Sequence, residues 1–94
     1  GHPPNPTAAS VDPVVMSAAR ELLDELSSSR RATRVAPPGR LRRAVLAARL
    51  SEAFEVLSVE AVTQARADDE PATWAEVGDA FGIRAQSAQG RFRR

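Results

Sequence analysis

The chain has 94 residues, a formal net charge of +1 and no cysteine. This length provides one small domain whose core is only marginally large enough to be stable alone, so a partner chain is expected. The missing cysteines exclude a disulfide framework and thiolate chemistry. No apolar run approaches the roughly 20 residues that span a membrane, and no signal-peptide pattern is present, so we expect a soluble, cytoplasmic protein.

Positive and negative charges are segregated along the chain. Residues 30–49 contain seven arginines and no acid, and residues 50–81 contain eight acids and one arginine. Residues 82–94 then add four arginines and no acid. Two basic segments therefore flank an acidic one, and the small net charge hides a dipolar surface.

The first predicted elements are an arm and a helix. Residues 1–11 contain three of the seven prolines and little apolar content, which predicts a flexible amino-terminal arm. Asp12 followed by Pro13 is typical of a helix start. The carboxylate accepts hydrogen bonds from backbone N–H groups that have no partner in the first turn, and proline has no N–H that would need one. Apolar residues at spacings of three and four then predict a helix over residues 12–29. Residues 12–94 are predicted to form a single helical domain.

A loop and a long helix follow. Two prolines and a glycine at 37–39 break any helix, which predicts a loop over residues 30–39. A wide apolar stripe predicts a second helix over residues 40–67, which the segment 68–71 ends. At roughly 1.5 Å per residue this helix is about 40 Å long, more than so small a core needs. It either bends or presents its excess apolar face to a partner, and we favour a homodimer through the helices 12–29 and 40–67.

Three arginines, Arg40, Arg42 and Arg43, lie at the start of the second helix, where the helix dipole disfavours positive charge. They are either solvated charges whose cost is screened by salt, or contacts for DNA phosphates.

Strong capping residues mark the third helix. Thr73 and Glu76 have the T-x-x-E spacing of a capping box, which predicts a short helix over Trp74–Phe81. Gly82 permits the left-handed conformation that closes a helix, and Ile83 then returns an apolar side chain to the core.

A final helix is predicted from residue 84 or 85 to residue 93. Ala88 and Phe92, one turn apart, are expected to pack against Val77, Phe81 and Ile83. Gly78 lies four residues before the turn glycine, where two steeply crossing helices approach so closely that only a small side chain fits. This pattern over residues 73–93 is typical of a helix-turn-helix.

The stretch TWAEVGDAFGIRAQSAQGRF resembles the TWxEIGxALGVSxQAAxxRF type of helix-turn-helix found in small DNA-binding proteins of high-GC bacteria. The close match covers about 20 residues. The resemblance implies an all-α protein that binds double-stranded DNA, as a transcriptional regulator or a nucleoid-associated protein. Two departures stand out: Arg84 replaces the Ser that usually caps the recognition helix, and Gly90 lies inside that helix, at a cost of about 1 kcal/mol relative to alanine.

The side chains predicted to face DNA follow from the helical rotation. With Ala88 and Phe92 inward, the predicted base-reading residues are Gln86, Ser87, Gln89 and Gly90, where the glutamines suit adenine edges and the glycine permits close backbone approach. The predicted phosphate contacts are Thr73, Trp74, Arg84, Arg91, Arg93 and Arg94, together with Arg40, Arg42 and Arg43.

An enzyme is not expected, because the predicted folded part lacks histidine, cysteine and a phosphate-binding glycine loop. We expect no cofactor and no metal. Trp74 and Phe54 are interpreted as core residues rather than as a stacking platform for single strands. The alternative function is a helical protein-interaction module, in which the second helix is the working surface and the carboxy-terminal arginines are paired to acids.

Overall fold

The computed structural model describes residues 7–93, and every regular element in that range is helical. The four α-helices are α1 (Pro13–Ser27), α2 (Arg42–Arg66), α3 (Trp74–Phe81) and α4 (Ala85–Phe92). The predicted all-α fold with about four helices is therefore confirmed. Of the predicted arm, residues 1–6 lie outside the described residues, and Ala8–Ser10 form a short 3-10 helix.

Packing divides the chain within α2 into two units. The amino-terminal unit is Gly1–Ser51, and the carboxy-terminal unit is Glu52–Arg94. Each has its own small core. Buried in the amino-terminal unit are Ala32, Ala36 and Leu46, and buried in the carboxy-terminal unit are Val59, Val62, Val77, Ala88 and Phe92.

The first helix begins as the sequence predicts. Asp12 Oδ1 accepts a hydrogen bond from the Val14 backbone N–H at 2.8 Å, and Pro13 is the first helical residue. Yet α1 has no buried residue, and Val14 and Val15 remain 78% and 58% exposed. An isolated helix of this length is only marginally stable in water. Since no residue of α1 is buried, the contacts within the described residues add little to its stability.

The predicted loop over residues 30–39 is partly helical, which corrects that prediction. Arg30–Arg34 form a 3-10 helix, and Ser29 caps it by accepting a hydrogen bond from the Arg31 N–H at 3.3 Å. The proline and glycine residues that suggested a loop come only after this turn. The 3-10 helix brings Ala32 into the amino-terminal core.

More apolar residues lie along α2 than the two cores bury. Val59 and Val62 are buried, whereas Phe54 is 44% exposed, so its interpretation as a core residue is wrong within the described residues. The reason is rotational: successive helical residues are about 100° apart, which puts Phe54 on a different face of α2 from the two valines.

None of the helices in residues 7–93 combines the length and the apolar character needed to cross a bilayer.

Candidate nucleic-acid interface

The start and end of α3 are fixed by local hydrogen bonds. Thr73 Oγ1 accepts from the Glu76 N–H at 3.1 Å, and Glu76 Oε1 accepts from the Thr73 N–H at 3.4 Å, which confirms the capping box. At the other end Gly82 has φ 69° and ψ 30°, the predicted left-handed conformation. The Ile83 N–H then donates to the Gly78 carbonyl at 2.8 Å, closing the turn.

Gly78 is the point where α3 meets the chain leading into α4. A Cβ atom at this residue would lie 2.6 Å from the Ile83 carbonyl oxygen and 3.0 Å from the Ala85 nitrogen. Both are backbone atoms, which cannot rotate away as a flexible side chain can. The predicted need for a small residue at 78 is therefore confirmed, and it fixes α4 close against α3.

One face of α4 is buried. Ala88 and Phe92 are 0% and 2% exposed and pack with Val77 and Ile83 in the carboxy-terminal core. Phe81 also contacts this group, with its ring centroid 4.7 Å from that of Phe92, but it remains 42% exposed. The predicted inward face of the last helix is thus confirmed.

The opposite face of α4 is open. Gln86, Ser87 and Gly90 are exposed, and a Cβ atom at Gly90 would meet nothing within 4 Å. Arg84 supplies no side-chain hydrogen bond to the start of α4, as its type predicts. Arg84 and Arg93 are exposed and form no ion pair within residues 7–93. The predicted base-reading residues are therefore accessible, except that Gln89 is half-buried.

Gln89 belongs to a cleft of about 330 Å³ at the side of α4. The lining residues are Thr63, Arg66, Ala67, Trp74, Gln89, Phe92 and Arg93. The Arg66 guanidinium carbon lies 3.8 Å from the centroid of the Trp74 ring, and Arg66 Nη1 donates to the Ala72 carbonyl at 3.3 Å. Trp74 is half-buried and packs against the carboxy-terminal core, in agreement with its interpretation as a core residue.

Arg91 differs from the other arginines of the last segment. Its Nη2 lies 3.6 Å from Glu55 Oε2, and its guanidinium carbon lies 5.0 Å from the Phe92 ring centroid. Both ends of the ion pair are about half exposed, so the pair adds little stability. Its geometry nevertheless directs Arg91 toward α2.

The three arginines near the start of α2 belong to the amino-terminal unit and have different surroundings. Arg42 is half-buried and donates to three carbonyls, those of Ala36 at 2.6 Å, Ser29 at 3.0 Å and Ser27 at 3.3 Å. Arg42 therefore ties α1 and the following turn to α2 and has few donors left for a phosphate.

Arg43 and Arg40 complete this group. Arg43 Nη1 pairs with Asp24 Oδ1 at 2.6 Å on the surface. Arg40 is exposed and makes no hydrogen bond or ion pair within the described residues. Arg94, the remaining predicted phosphate contact, lies outside the described residues.

Two residues of the site were missed from the sequence. Val59 is buried in the carboxy-terminal core, and its spacing of three from Val62 and seven from Arg66 could have shown the face of α2 that meets α3 and α4. Arg66 was counted only as the single cation of an acidic segment. Arg66 is the last residue of α2 and Trp74 is the first residue of α3. Helical spacing does not predict a contact between residues of two different helices.

Comparison of the chain with protein-family models, with curated proteins and with solved structures gives no match.

Proposed function

We propose that α3 and α4 form a helix-turn-helix that binds double-stranded DNA, with α4 in the major groove. The observation that carries this proposal is the open face of α4, where Gln86, Ser87 and Gly90 are exposed. Arg84 and Arg93, at the two ends of α4, are also exposed and form no ion pair within residues 7–93. The close approach at Gly78 supports it, because it holds α4 against α3 with that face outward.

The two groups of side chains have separate roles in this proposal. Gln86 hydrogen-bonds adenine edges, and Gly90 allows the helix backbone to approach the bases, whereas the half-buried Gln89 lies in the cleft beside α4. Arg84, Arg93 and the amide groups at the Thr73–Trp74 end of α3 contact phosphates, which fix position without reading sequence. So few base contacts give a short or degenerate sequence preference on top of salt-dependent affinity, as suits a transcriptional regulator or a nucleoid-associated protein in the cytoplasm.

A homodimer through α1 and α2 is part of the same proposal. Exposed apolar side chains on α1 support it, notably Val14, Val15 and Leu22, because burying them against a second copy would stabilise a helix that has no buried residue of its own. Two-fold symmetry would present two copies of α4 to half-sites about one helical turn apart. Sedimentation that stays monomeric at every concentration tested would contradict the dimer and leave DNA binding by one copy.

The protein-interaction module remains the second candidate, and a specific observation favours it. Phe54, Val56 and Leu57 on α2 are each about half exposed. Arg91 is paired with Glu55, and a protein that does not bind DNA would tolerate such a pair, because it does not need a free arginine there. In this alternative the apolar face of α2 binds another protein and α4 serves only to stabilise it.

The experiment that separates these functions is fluorescence anisotropy with a library of duplexes of about 25 base pairs, at about 50 and 200 mM salt. A DNA-binding helix-turn-helix should lose affinity steeply with salt and should enrich a short site. Salt-dependent binding without enrichment would indicate a nucleoid-type protein. No binding at the lower salt would reject DNA binding and favour the interaction module.

Base readout is tested by Gln86→Ala, with Gln64→Ala as the matched control on an exposed position of α2. We expect Gln86→Ala to reduce discrimination between the enriched and scrambled duplexes by about 1–3 kcal/mol, roughly 5- to 150-fold. The Gln64 variant should behave like the wild type. An unchanged preference in Gln86→Ala would show that this side chain does not read bases.

A further inference from the structure

We infer that the cleft formed by Arg66, Trp74 and Arg93 is a phosphate site that holds one phosphodiester of the DNA backbone at the side of α4. The inference rests on the proposed DNA binding and extends it to Arg66, a residue of α2 that lies outside the helix-turn-helix itself.

Most hydrogen-bond donors of the Arg66 guanidinium are unused within the described residues. A guanidinium carries several N–H donors in a fixed plane, and the structure shows a single hydrogen bond of Arg66, to the Ala72 carbonyl at 3.3 Å. The remaining donors have no acceptor within the described residues. A cleft that contains a planar cation with unused donors suits an oxygen-rich anion.

The Arg66 side chain is held in place by its contact with Trp74. Its guanidinium lies 3.8 Å from the centroid of the Trp74 ring, and the side chain is half-buried. This cation–π contact restricts the Arg66 side chain, so less conformational entropy is lost when a ligand binds. Arg66 also forms no ion pair with an acid in residues 7–93, so its charge is not neutralised within the chain.

The rest of the cleft wall also suits an anion. Arg93 adds a second cation, which is exposed, and the Gln89 amide adds a neutral donor. Thr63 adds none, because its hydroxyl already donates to the Val59 carbonyl at 2.9 Å. Among residues 7–93, no carboxylate lines the cleft. Two guanidinium groups and an amide form a site that suits an anion.

The position of the cleft favours a backbone phosphate over a free anion. Gln89 and Phe92 belong both to the cleft and to α4, the helix proposed to enter the major groove, and Arg93 directly follows that helix. The backbone strand that borders the groove would pass along the side of that helix. A phosphate bound there by Arg66 would set how deeply α4 enters, and it would do so for every sequence alike.

The test compares Arg66→Gln with Arg66→Lys and the wild type, and uses Arg20→Gln as a matched control, since Arg20 is an exposed arginine of α1 without a partner in the described residues. Affinity for one duplex is measured over a range of salt concentrations. We expect Arg66→Gln to reduce the slope of log affinity against log salt by about 0.9, the value for one lost phosphate contact, equally for enriched and scrambled duplexes. Arg66→Lys should keep most of the slope, and Arg20→Gln all of it.

Trp74 supplies a second measurement on the unaltered protein, because it is the only tryptophan in the chain. Its fluorescence should change when duplex DNA is added and should stay constant with inorganic phosphate at the same phosphate concentration. If Arg66→Gln does not fold, as circular dichroism would show, Arg66→Met replaces it in the salt titration, because methionine keeps an unbranched apolar side chain beside Trp74 without the charge.

The salt titration and the Trp74 fluorescence together distinguish failure of the phosphate site from failure of the proposed function. A wild-type protein that binds DNA, with a slope unchanged in folded Arg66→Gln, overturns the phosphate site and leaves the proposed function intact. An equal Trp74 response to inorganic phosphate and to DNA overturns the assignment to the DNA backbone in favour of a free-anion site. A wild-type protein that binds no duplex rejects the proposed function and this site together.

Discussion

The two units differ in how much of their apolar surface they bury. The carboxy-terminal unit has a core of five buried residues contributed by α2, α3 and α4, and its largest member, Phe92, is 2% exposed. The buried residues of the amino-terminal unit are two alanines and Leu46, and α1 contributes none. Two short helices thus contribute buried residues to the core of one unit, while a longer helix with a clear apolar stripe contributes no buried residue in the other.

This difference shows that amphipathic character and burial are separate properties. The apolar stripe of α1 predicts correctly that a helix forms, but it does not specify what covers the stripe. In the carboxy-terminal unit the turn at Gly82 is so tight that the following helix has few positions available. Local geometry therefore specifies the packing there, whereas in the amino-terminal unit the described contacts leave every residue of α1 at least partly exposed.

The largest expected effect is the loss of Phe92. Phe92→Ala should destabilise the carboxy-terminal unit by about 3–5 kcal/mol, because it removes the largest buried side chain and leaves a cavity beside Val77 and Ala88. Leu46→Ala is the matched change in the amino-terminal unit. Hydrogen exchange resolved by residue would show α3 and α4 losing protection in the first variant and keeping it in the second. Equal loss in both units would mean that the two cores unfold as one.

A smaller effect is expected for Arg42, which joins segments of the amino-terminal unit. Arg42→Ala should cost about 2 kcal/mol, since it leaves the carbonyls of Ser27, Ser29 and Ala36 without a charged donor. Arg40→Ala, at an exposed residue without a partner in the described residues, should leave thermal stability unchanged. The comparison uses melting followed by circular dichroism. Identical melting temperatures would show that the Arg42 hydrogen bonds are not a structural support.

Two glycines of the carboxy-terminal unit should give effects of opposite sign when replaced by alanine, and the effect at Gly90 is the smallest of all. Gly78→Ala should destabilise by about 1–3 kcal/mol, because the new Cβ would meet backbone atoms. Gly90→Ala should stabilise by up to about 1 kcal/mol, because alanine is the better helix former and the space is open. Both are measured by urea denaturation.

Gly90→Ala also tests the proposed function, because the added methyl group would separate the backbone of α4 from the bases. A variant that is more stable yet binds the enriched duplex less tightly would sharpen the case for a DNA-facing helix. Unimpaired binding would show that the duplex does not approach Gly90. A stabilising effect of Gly78→Ala would contradict the close approach of α3 and α4.

Much of the carboxy-terminal unit could be predicted because its determinants are local. The capping box of Thr73 and Glu76 spans three residues, and the left-handed turn requires only Gly82. The inward positions of Ala88 and Phe92 follow from one helical turn. Each prediction needed only residues that are neighbours in the sequence, where steric and hydrogen-bonding rules are strong.

Two kinds of feature could not be predicted: contacts made by long side chains with distant residues, and which apolar face of α2 is buried. Arg42 reaches carbonyls up to 15 residues away, so its role is invisible in local sequence and it was interpreted as a phosphate contact. Along α2, apolar residues occupy more than one face, and the sequence does not indicate whether Phe54 or Val59 faces α3 and α4. The sequence of Arg30–Arg34 carries no strong signal for a 3-10 helix, and burial of Ala32 in the amino-terminal core depends on residues elsewhere in the chain.

The start of α4 has a consequence for the motions of the free protein. Arg84 provides no side-chain acceptor for the first amides of α4, and Gly90 weakens the same eight-residue helix further on. Each missing kcal/mol raises the population of locally opened states about fivefold. The first turn of α4 should therefore exchange its amide hydrogens faster than the capped first turn of α3, which is of equal length. A residue such as serine at position 84 would slow that opening but would remove a positive charge, so this single position trades helix rigidity against attraction for anions.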